Sequence, residues 1–416
     1  MRLNIQNFGI IESASVNING LTVICGENDS GKSTIGKLLF AMIKASQKYE
    51  EELGEGVISQ IFLNLSRISV LLLQGDRDES LRNISIYFRR LDPDEILLTK
   101  DLSSLYSIID DNVSDLSLKN KIYEYISKID ILIQNTPNEK KAKENALKKA
   151  LYSEFKNFSH KSSEIKLNDL NNDTIIKFNS DKKGVSNIVF DKPMLLDDVT
   201  YIENPFILQF RRMFLNAITL LDESNTTRSW VREKVSLHLK DLARKLSVLD
   251  PKTIEFSENK LQKLSNNISE LIDGSFYYDE EQDDFILNRN GHVFSSMNIA
   301  SGIKALGLFN SLLKGGFVNE RSLLILDEPE TNLHPKWQNE YAKLLCNLVK
   351  SNIKIIIATH SPYMISALEH YSKDIENKNF YWARKDYSES VIFEDETSSI
   401  MENIVQKFAD AFNEID

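Results

Sequence analysis

The sequence predicts an α/β fold: a mixed β-sheet core with a helical insertion and an antiparallel β subdomain. Three observations carry this expectation. An apolar run, Leu21–Cys25, leads through a glycine-containing loop into an amphipathic helix. Two more apolar runs, SLLILD and IKIIIATH, occupy the last third of the chain. They are continuous rather than alternating, so both faces should be covered, as in a parallel sheet flanked by helices. The two ends of the chain therefore build one core, and the stretch between them, which differs in character, is inserted into it.

Residues 1–50 read as the N-terminal lobe. Leu3 and Ile5 alternate with polar neighbours, a turn at Gly20 introduces Leu21–Cys25, and a helix starts at about Ser33 with Ile35, Leu38, Leu39, Met42 and Ile43 on one face. This first segment reads as two strands and a loop ahead of the helix. Residues 51–163 are helix-rich, low in glycine and lined with charge, as in KIYEYISKIDILIQ. From 164 to 205, SEIKL, DTIIKF, SNIVF and DVTYI alternate with polar turns, a β subdomain continuing the core. A second helical segment covers 206–272. Residues 273–416 form the C-terminal lobe: a hairpin, a helix from Ser301, and the two apolar strands around a helix with Trp337, Tyr341 and Leu344 on one side.

The totals bound the function. The chain has 416 residues, 42% hydrophobic and 27% charged, ample for a sizeable core. No run approaches the roughly 20 apolar residues of a membrane span, and MRLNIQNFGI lacks a signal peptide's apolar centre. A cytoplasmic protein with no membrane partner is expected. The net charge of −11 repels nucleic acid in bulk but leaves room for a local basic surface. Cys25 and Cys346 sit in apolar segments with no CxxC pair, so reduced core thiols are expected.

Gly26-Glu27-Asn28-Asp29-Ser30-Gly31-Lys32-Ser33, followed by Thr34, fits GxxxxGK[ST] without mismatch. Glycines at these positions let the backbone curl so that successive N–H groups face phosphate oxygens, and the following helix points its positive end at the same anion. Lys32 would bridge the β- and γ-phosphates of ATP and Ser33 would bind Mg2+. A chance glycine turn is the bland alternative, and the strand before the loop and helix after it argue against that.

SLLILDEPETNLHP places Asp327 and Glu328 after five apolar residues. The carboxyl end of a central strand faces the crevice where α/β folds bind ligands. Asp327 would hold the Mg2+ shell, and Glu328 would polarise the attacking water, since phosphoryl transfer needs mainly positioning and charge stabilisation. His360, ending IKIIIATHSP, would donate to the γ-phosphate. Ser301 and Gly302 begin a helix with Ile303, Leu306, Phe309, Leu312 and Leu313 on its buried face. On spacing alone an ordinary cap by Ser301 and a close ligand approach at Gly302 both remain open.

Together these segments resemble the ABC-type ATPases, in the branch holding SMC proteins, RecF and the OLD-like, Septu and PARIS defence ATPases. The resemblance rests on RLNIQNFGIIESASVNINGLTVICGENDSGKST, ASGIK and DEPETNLHP, about a third of the chain. It implies an ABC-type head in which ATP is sandwiched between the phosphate loop of one copy and Ser301–Gly302 of another, hence a homodimer or higher oligomer. Ala-Ser-Gly-Ile-Lys departs from the LSGGQ of transporter ATPases, and no glutamine loop is evident. Asn204 and Gln209 are candidates there, and Asn7 and Phe8 for proximity to adenine.

Outside these motifs the signals are weaker. Arg211, Arg212, Arg228, Arg232, Lys234, Lys240, Arg244 and Lys245, and the lysines of 140–149, read as solvated helix faces or phosphate-backbone contacts to nucleic acid. His334 reads as an interface residue or a turn stabiliser, and Trp230, Trp337 and Trp382 as core.

The resemblance implies an ATP-hydrolysing subunit of a bacterial anti-phage system, a nucleotide-gated sensor and scaffold answering a phage protein and controlling a separate nuclease or toxin. A RecF- or SMC-like repair clamp is the alternative, and a transporter motor fits poorly with so long an insertion. OLD-type nucleases carry a nuclease domain after the ATPase. Fifty-six residues follow His360 here, with Glu394, Asp395 and Glu396 clustered but no strand-borne DxD, so no nuclease activity is expected in this chain.

Overall fold

The computed structural model describes residues 1–47, 49–74, 79–134, 139–156, 162–210, 235–247, 259–331, 333–385 and 390–402. The chain opens with a hairpin, Arg2–Phe8 (β1) against Ile11–Asn17 (β2). That is one strand more than the patterning of this segment suggested. Only Ile11, Ala14 and Val16 of β2 are buried, too irregular a spacing for an alternation reading. Leu21–Gly26 (β3) follows with all six residues buried, then Lys32–Gln47 (α1).

Six helices come next: Tyr49–Gln74 (α2), Glu79–Arg90 (α3), Pro93–Thr99 (α4), Ser103–Asn112 (α5), Leu116–Gln134 (α6) and Glu139–Phe155 (α7). Strands Ser163–Asn168 (β4), Thr174–Asp181 (β5), Gly184–Phe190 (β6) and Asp198–Ile202 (β7) lead to Leu237–Ser247 (α8) and Asn259–Ile272 (α9). Ser275–Asp279 (β8), Asp284–Arg289 (β9) and His292–Ser295 (β10) precede Ser301–Lys314 (α10). The chain continues through Ser322–Asp327 (β11), Pro335–Val349 (α11), Lys354–Thr359 (β12), Pro362–Tyr371 (α12), Lys378–Lys385 (β13) and Val391–Asp395 (β14).

These elements form two compact units, one of residues 48–146 and one of the N-terminal 47 residues with the chain from 147 onward. The helical insertion expected over 51–163 thus ends earlier, inside α7. The last turns of α7 bury Ala150 and Leu151, and its Phe155 ring meets Phe8 of β1 edge-on at 5.1 Å.

In the larger unit eleven of the described strands form one sheet, β6-β5-β4-β1-β2-β14-β13-β3-β12-β11-β7. β13, β3, β12, β11 and β7 are parallel, in keeping with the continuous apolar patterns of β3, β11 and β12. β6 through β2 are antiparallel, and β14 joins the halves, antiparallel to β13 and parallel to β2. The mixed α/β core is as predicted. The 164–205 strands belong to this same sheet, with β4–β6 extending it from β1 and β7 at the far edge. Residues 275–295 make a three-stranded antiparallel sheet, one strand more than a hairpin.

Register sets the site. Thr359 pairs with Cys25, Asp327 with Ala358 and Leu326 with Ile202. Gly26, His360, Asp327–Glu328 and Glu203 therefore emerge side by side at the carboxyl edge of four parallel strands.

The helical unit has its own core. Ile61, Leu65, Ile68 and Leu72 of α2 and Ile122, Ile126, Ile129 and Ile133 of α6 recur every three or four residues and are buried. Among the described residues no helix is long and apolar enough to cross a membrane.

Candidate active site

The loop between β3 and α1 is shaped by glycine. Gly26 stands at φ +153° and Gly31 at +78°, and a β-carbon at Gly26 would lie 2.8 Å from that of Ala383. Side chains cannot enter either position without strain. Residues 27–29 are exposed while Ser30 is buried, so the loop folds over the amino end of α1, an anion-binding arrangement of N–H groups. Thr34 N donates back to Gly31 O at 3.1 Å. Lys32, only 4% exposed, donates to Gly26 O (3.0 Å), Glu27 O (2.6 Å) and Ser30 Oγ (3.4 Å). Burial lowers its pKa, opposed by Glu328 and Asp327. It is a desolvated cation resting on neutral acceptors, and phosphate oxygens would be stronger partners.

Asp327 faces the same loop. Ser33 Oγ donates to its Oδ1 at 3.0 Å, a contact between residues 294 apart in sequence, and Tyr201 donates to Oδ2 at 2.6 Å. Burial raises the Asp327 pKa against these two hydrogen bonds, and a divalent cation would relieve that penalty. A buried carboxylate beside a serine hydroxyl, next to the phosphate loop, fits a magnesium ion. Sequence reasoning placed Ser33 and Asp327 here but missed Tyr201. Its tyrosine stands within the β-patterned DVTYI, and only the parallel pairing of β7 with β11 brings it across from Ile325.

Glu328 turns the chain with φ +47°, a left-handed backbone costing a non-glycine residue about 1–2 kcal/mol. Its N–H still donates to Ala358 O at 2.8 Å, so the strand end is held while the side chain swings out. Glu328 Oε1 then lies 3.1 Å from His360 Nδ1, and both side chains are partly open to solvent, 38% and 42% exposed. Beneath them Glu330, 4% exposed, accepts from the Thr359 hydroxyl at 2.5 Å and from His360 N and Ser361 N, each at 3.3 Å.

A cavity of about 340 Å3 is lined by Ser33, Asp327 and Glu328 together with Glu203 and Asn204. Glu203, missed in the sequence, is held from behind by His238, whose Nε2 is 3.0 Å from Glu203 Oε2 and whose Nδ1 is 2.8 Å from Glu154 Oε2. His238 is almost fully buried. Burial works against its protonation, but the two carboxylates outweigh burial and raise its pKa.

Other predicted residues fall elsewhere. Ser301 and Gly302 open α10, but the N-cap is Ala300, so Ser301 does not cap the helix as one reading held. The α10 residue lining the cavity is Ala305. Asn204, by contrast, does line the cavity, its Oδ1 accepting from Phe206 N at 2.9 Å, while Gln209, outside that lining, bonds Ser296 O at 3.3 Å. Phe8 is buried, its ring edge-on to that of Phe155. His334 takes its turn-stabilising alternative, as the N-cap of α11 accepting from Lys336 N.

Trp337 and Trp382 pack against the core, and Cys25 and Cys346 are free, buried thiols, the latter pushed up to about 12 by burial. Arg211, Arg212, Arg228, Arg232, Lys234 and Trp230 lie outside the described residues. Lys245 is neither solvated nor placed for nucleic acid: it is buried, 2.8 Å from Asp198 and 3.1 Å from Asp241. In α7, Lys140, Lys141, Lys148 and Lys149 are exposed and Lys143 half-buried. Glu394 pairs with Arg384 at 2.8 Å, Asp395 accepts from Thr397, and Glu396 accepts from Ser399.

Comparison with known proteins bears on this geometry. The endonuclease GajA of Bacillus cereus (strain HuB5-5) is 25% identical over 127 residues, covering 25% of this chain and 18% of that protein. The chain thus spans under a fifth of that relative's length. Among solved structures, the SMC head domain from Thermotoga maritima aligns at TM-score 0.38 and 10% identity, covering 95% of this chain and 97% of that one. A Pyrococcus furiosus Smc head domain bound to the C-terminal domain of ScpA aligns at TM-score 0.42 and 13% identity, covering 98% of both. A family profile described as an AAA ATPase domain matches residues 1–365. Because that match runs from the first strand through the phosphate loop and the β11 carboxylates to His360, the chain belongs to the AAA ATPase domain family and is an ATPase.

Proposed function

We propose that the chain hydrolyses ATP with Mg2+ as a nucleotide-gated homo-oligomer, serving as sensor and scaffold in bacterial anti-phage defence and controlling a separate effector protein. The observation that carries the catalytic part is the Ser33–Asp327 contact, which joins phosphate loop and acidic strand end in one site. Gly26–Thr34 would cradle the phosphates, with Lys32 on the β- and γ-oxygens. Ser33 and Asp327 would hold the magnesium ion, which when bound neutralises charge on the phosphate oxygens. Glu328, partly exposed and 3.1 Å from His360, would orient the attacking water, and His360 would donate to the γ-phosphate.

Ser301 and Gly302 of a second copy would close the nucleotide from the other side. Their position at the start of α10, outside the cavity lining of their own chain, supports that reading. The defence role rests on the resemblance to OLD-like, Septu and PARIS ATPases and on the partial similarity to a named endonuclease. We assign no nuclease role to Glu394, Asp395 and Glu396, each engaged by a neighbouring side chain.

Glu328→Gln is the test. It should bind ATP, hydrolyse it about 10²–10³-fold more slowly, and gain mass or change shape with ATP in light scattering. An unchanged particle would count against a nucleotide gate. Phage plating with the neighbouring genes present, and its loss in Lys32→Ala, tests the defence role. ATP-dependent DNA binding with a steep salt slope would favour a repair clamp instead. Nucleic-acid cleavage abolished by Glu394→Ala but not Lys32→Ala would reverse the nuclease assignment.

A further inference from the structure

Where β12 ends at Thr359, the sheet stops supplying acceptors. Of the next two donors, His360 N would be an orphan at a turn that carries a catalytic candidate, and Ser361 N would have only the Thr359 hydroxyl, at 3.1 Å. Both are taken by Glu330 Oε1 at 3.3 Å, and the same oxygen accepts from the Thr359 hydroxyl at 2.5 Å. A second strut runs alongside: Ser361 Oγ donates to Gln338 Oε1 at 2.7 Å, and Gln338 Nε2 donates to Leu333 O at 2.9 Å. The turn after β11 and the turn after β12 are thereby joined into one piece, with Glu328 on the first and His360 on the second.

We infer that Glu330 is a positioning residue for His360, setting the imidazole opposite Glu328 by accepting the His360 N–H that β12 leaves unpaired and sharing the Ser361 N–H with the Thr359 hydroxyl. This rests on the reading of His360 as the γ-phosphate donor. The argument against a mere filler is energetic. A carboxylate this deeply buried carries a desolvation penalty of several kcal/mol, and its Oε2 has no hydrogen-bond partner in the structure. Burial accordingly raises its pKa against the Thr359 hydrogen bond. An apolar side chain of equal size would fill the space without that penalty, but it would leave His360 N unpaired and Ser361 N with the Thr359 hydroxyl alone, and the turn less firmly held. Its role is indirect, because the groups it touches are the backbone of the turn and Thr359, with His360 Nδ1 only at 3.8 Å.

The test is steady-state ATP hydrolysis by Glu330→Leu, Glu330→Gln, His360→Ala and the Glu330→Leu/His360→Ala double variant, each checked by thermal melting. Displacing a catalytic group by about 1 Å costs on the order of 100-fold in rate. Glu330→Leu should therefore lower kcat about 10–100-fold with KM for ATP within about twofold, and Glu330→Gln, which keeps the acceptor oxygen, should recover to within about threefold. In the His360→Ala background Glu330→Leu should add less than about twofold, because the two act through one group. Full additivity, a raised KM with kcat intact, or wild-type activity of Glu330→Leu overturns the assignment.

If Glu330→Leu fails to fold, Thr359→Val decides the question, since it removes the hydroxyl that donates to Glu330 and accepts from Ser361 N while keeping shape. A smaller kcat loss, absent in the His360→Ala background, supports the assignment, and an unchanged or additive rate overturns it. A fully active His360→Ala would instead sink the reading of His360 as the γ-phosphate donor, whereas a slow His360→Ala beside a fully active Glu330→Leu sinks only the role of Glu330.

Discussion

The two units of this protein bury different chemistry. Among the described residues of the helical unit, the buried polar side chains are Asn64, Ser69 and Ser85, all uncharged. The sheet unit buries Lys32, Lys44, His238, Lys245, Lys304, Asp327 and Glu330. Buried charge is expensive and persists only where partners or a ligand compensate it. Some of these groups are compensated internally: Lys44 and Lys245 alternate with Asp198 and Asp241 in a four-member ring of contacts between 2.5 and 3.1 Å. Lys32 and Asp327 are compensated mostly by neutral groups, so a charged ligand has most to offer there. The helical unit is held by periodic apolar packing, and whatever it recognises must be met on its surface.

Substitutions can break or sharpen this contrast. The largest effect should come from Lys32→Ala, which would remove the charge-assisted contacts proposed to two phosphates. ATP affinity by calorimetry should fall about 10³-fold, roughly 4 kcal/mol. In the helical unit, Ile126→Ala should cost about 2–5 kcal/mol of stability through the cavity it leaves, yet leave KM for ATP unchanged. A weakened KM there would show that the two units do not divide the work as their cores suggest.

Tyr201→Phe should come next, lowering Mg2+ affinity about 10–100-fold by removing a hydroxyl that orients Asp327. Activity restored by excess Mg2+ is the expected titration result. His238→Gln should have the smallest effect, and it should depend on pH. The folded pKa of His238 lies above its ordinary value, so the stabilisation is complete below about pH 6.5 and fades as pH rises through the folded pKa. Melting curves across that range should show the gap between wild type and variant narrowing upward, and a gap that widens would contradict the assigned partners.

Much of the site was legible in the sequence because its key segments are local. GENDSGKS carries its own strand, turn and helix start, and SLLILDE and IKIIIATH announce where a buried strand ends. What escaped notice depends on partners far along the chain. Tyr201 bonds Asp327 across 126 residues, Glu203 is aimed by a histidine 35 residues on, and Glu330 meets its partners Thr359, His360 and Ser361 29 to 31 residues on. The β2 strand was missed for a different reason, a burial spacing that follows neither simple period. Lys245 looked like solvated charge because the acids that bury it, Asp198 and Asp241, come from β7 and α8 packing together.

By itself, then, the sequence determined which short stretches fold as strand, loop and helix, and which of them bring phosphate-binding and acidic chemistry, since those properties depend on neighbours within a few residues. Only the tertiary structure decided which polar groups share a site and which are mutually neutralised. Strand order and register couple residues hundreds of positions apart, and no local period records that coupling.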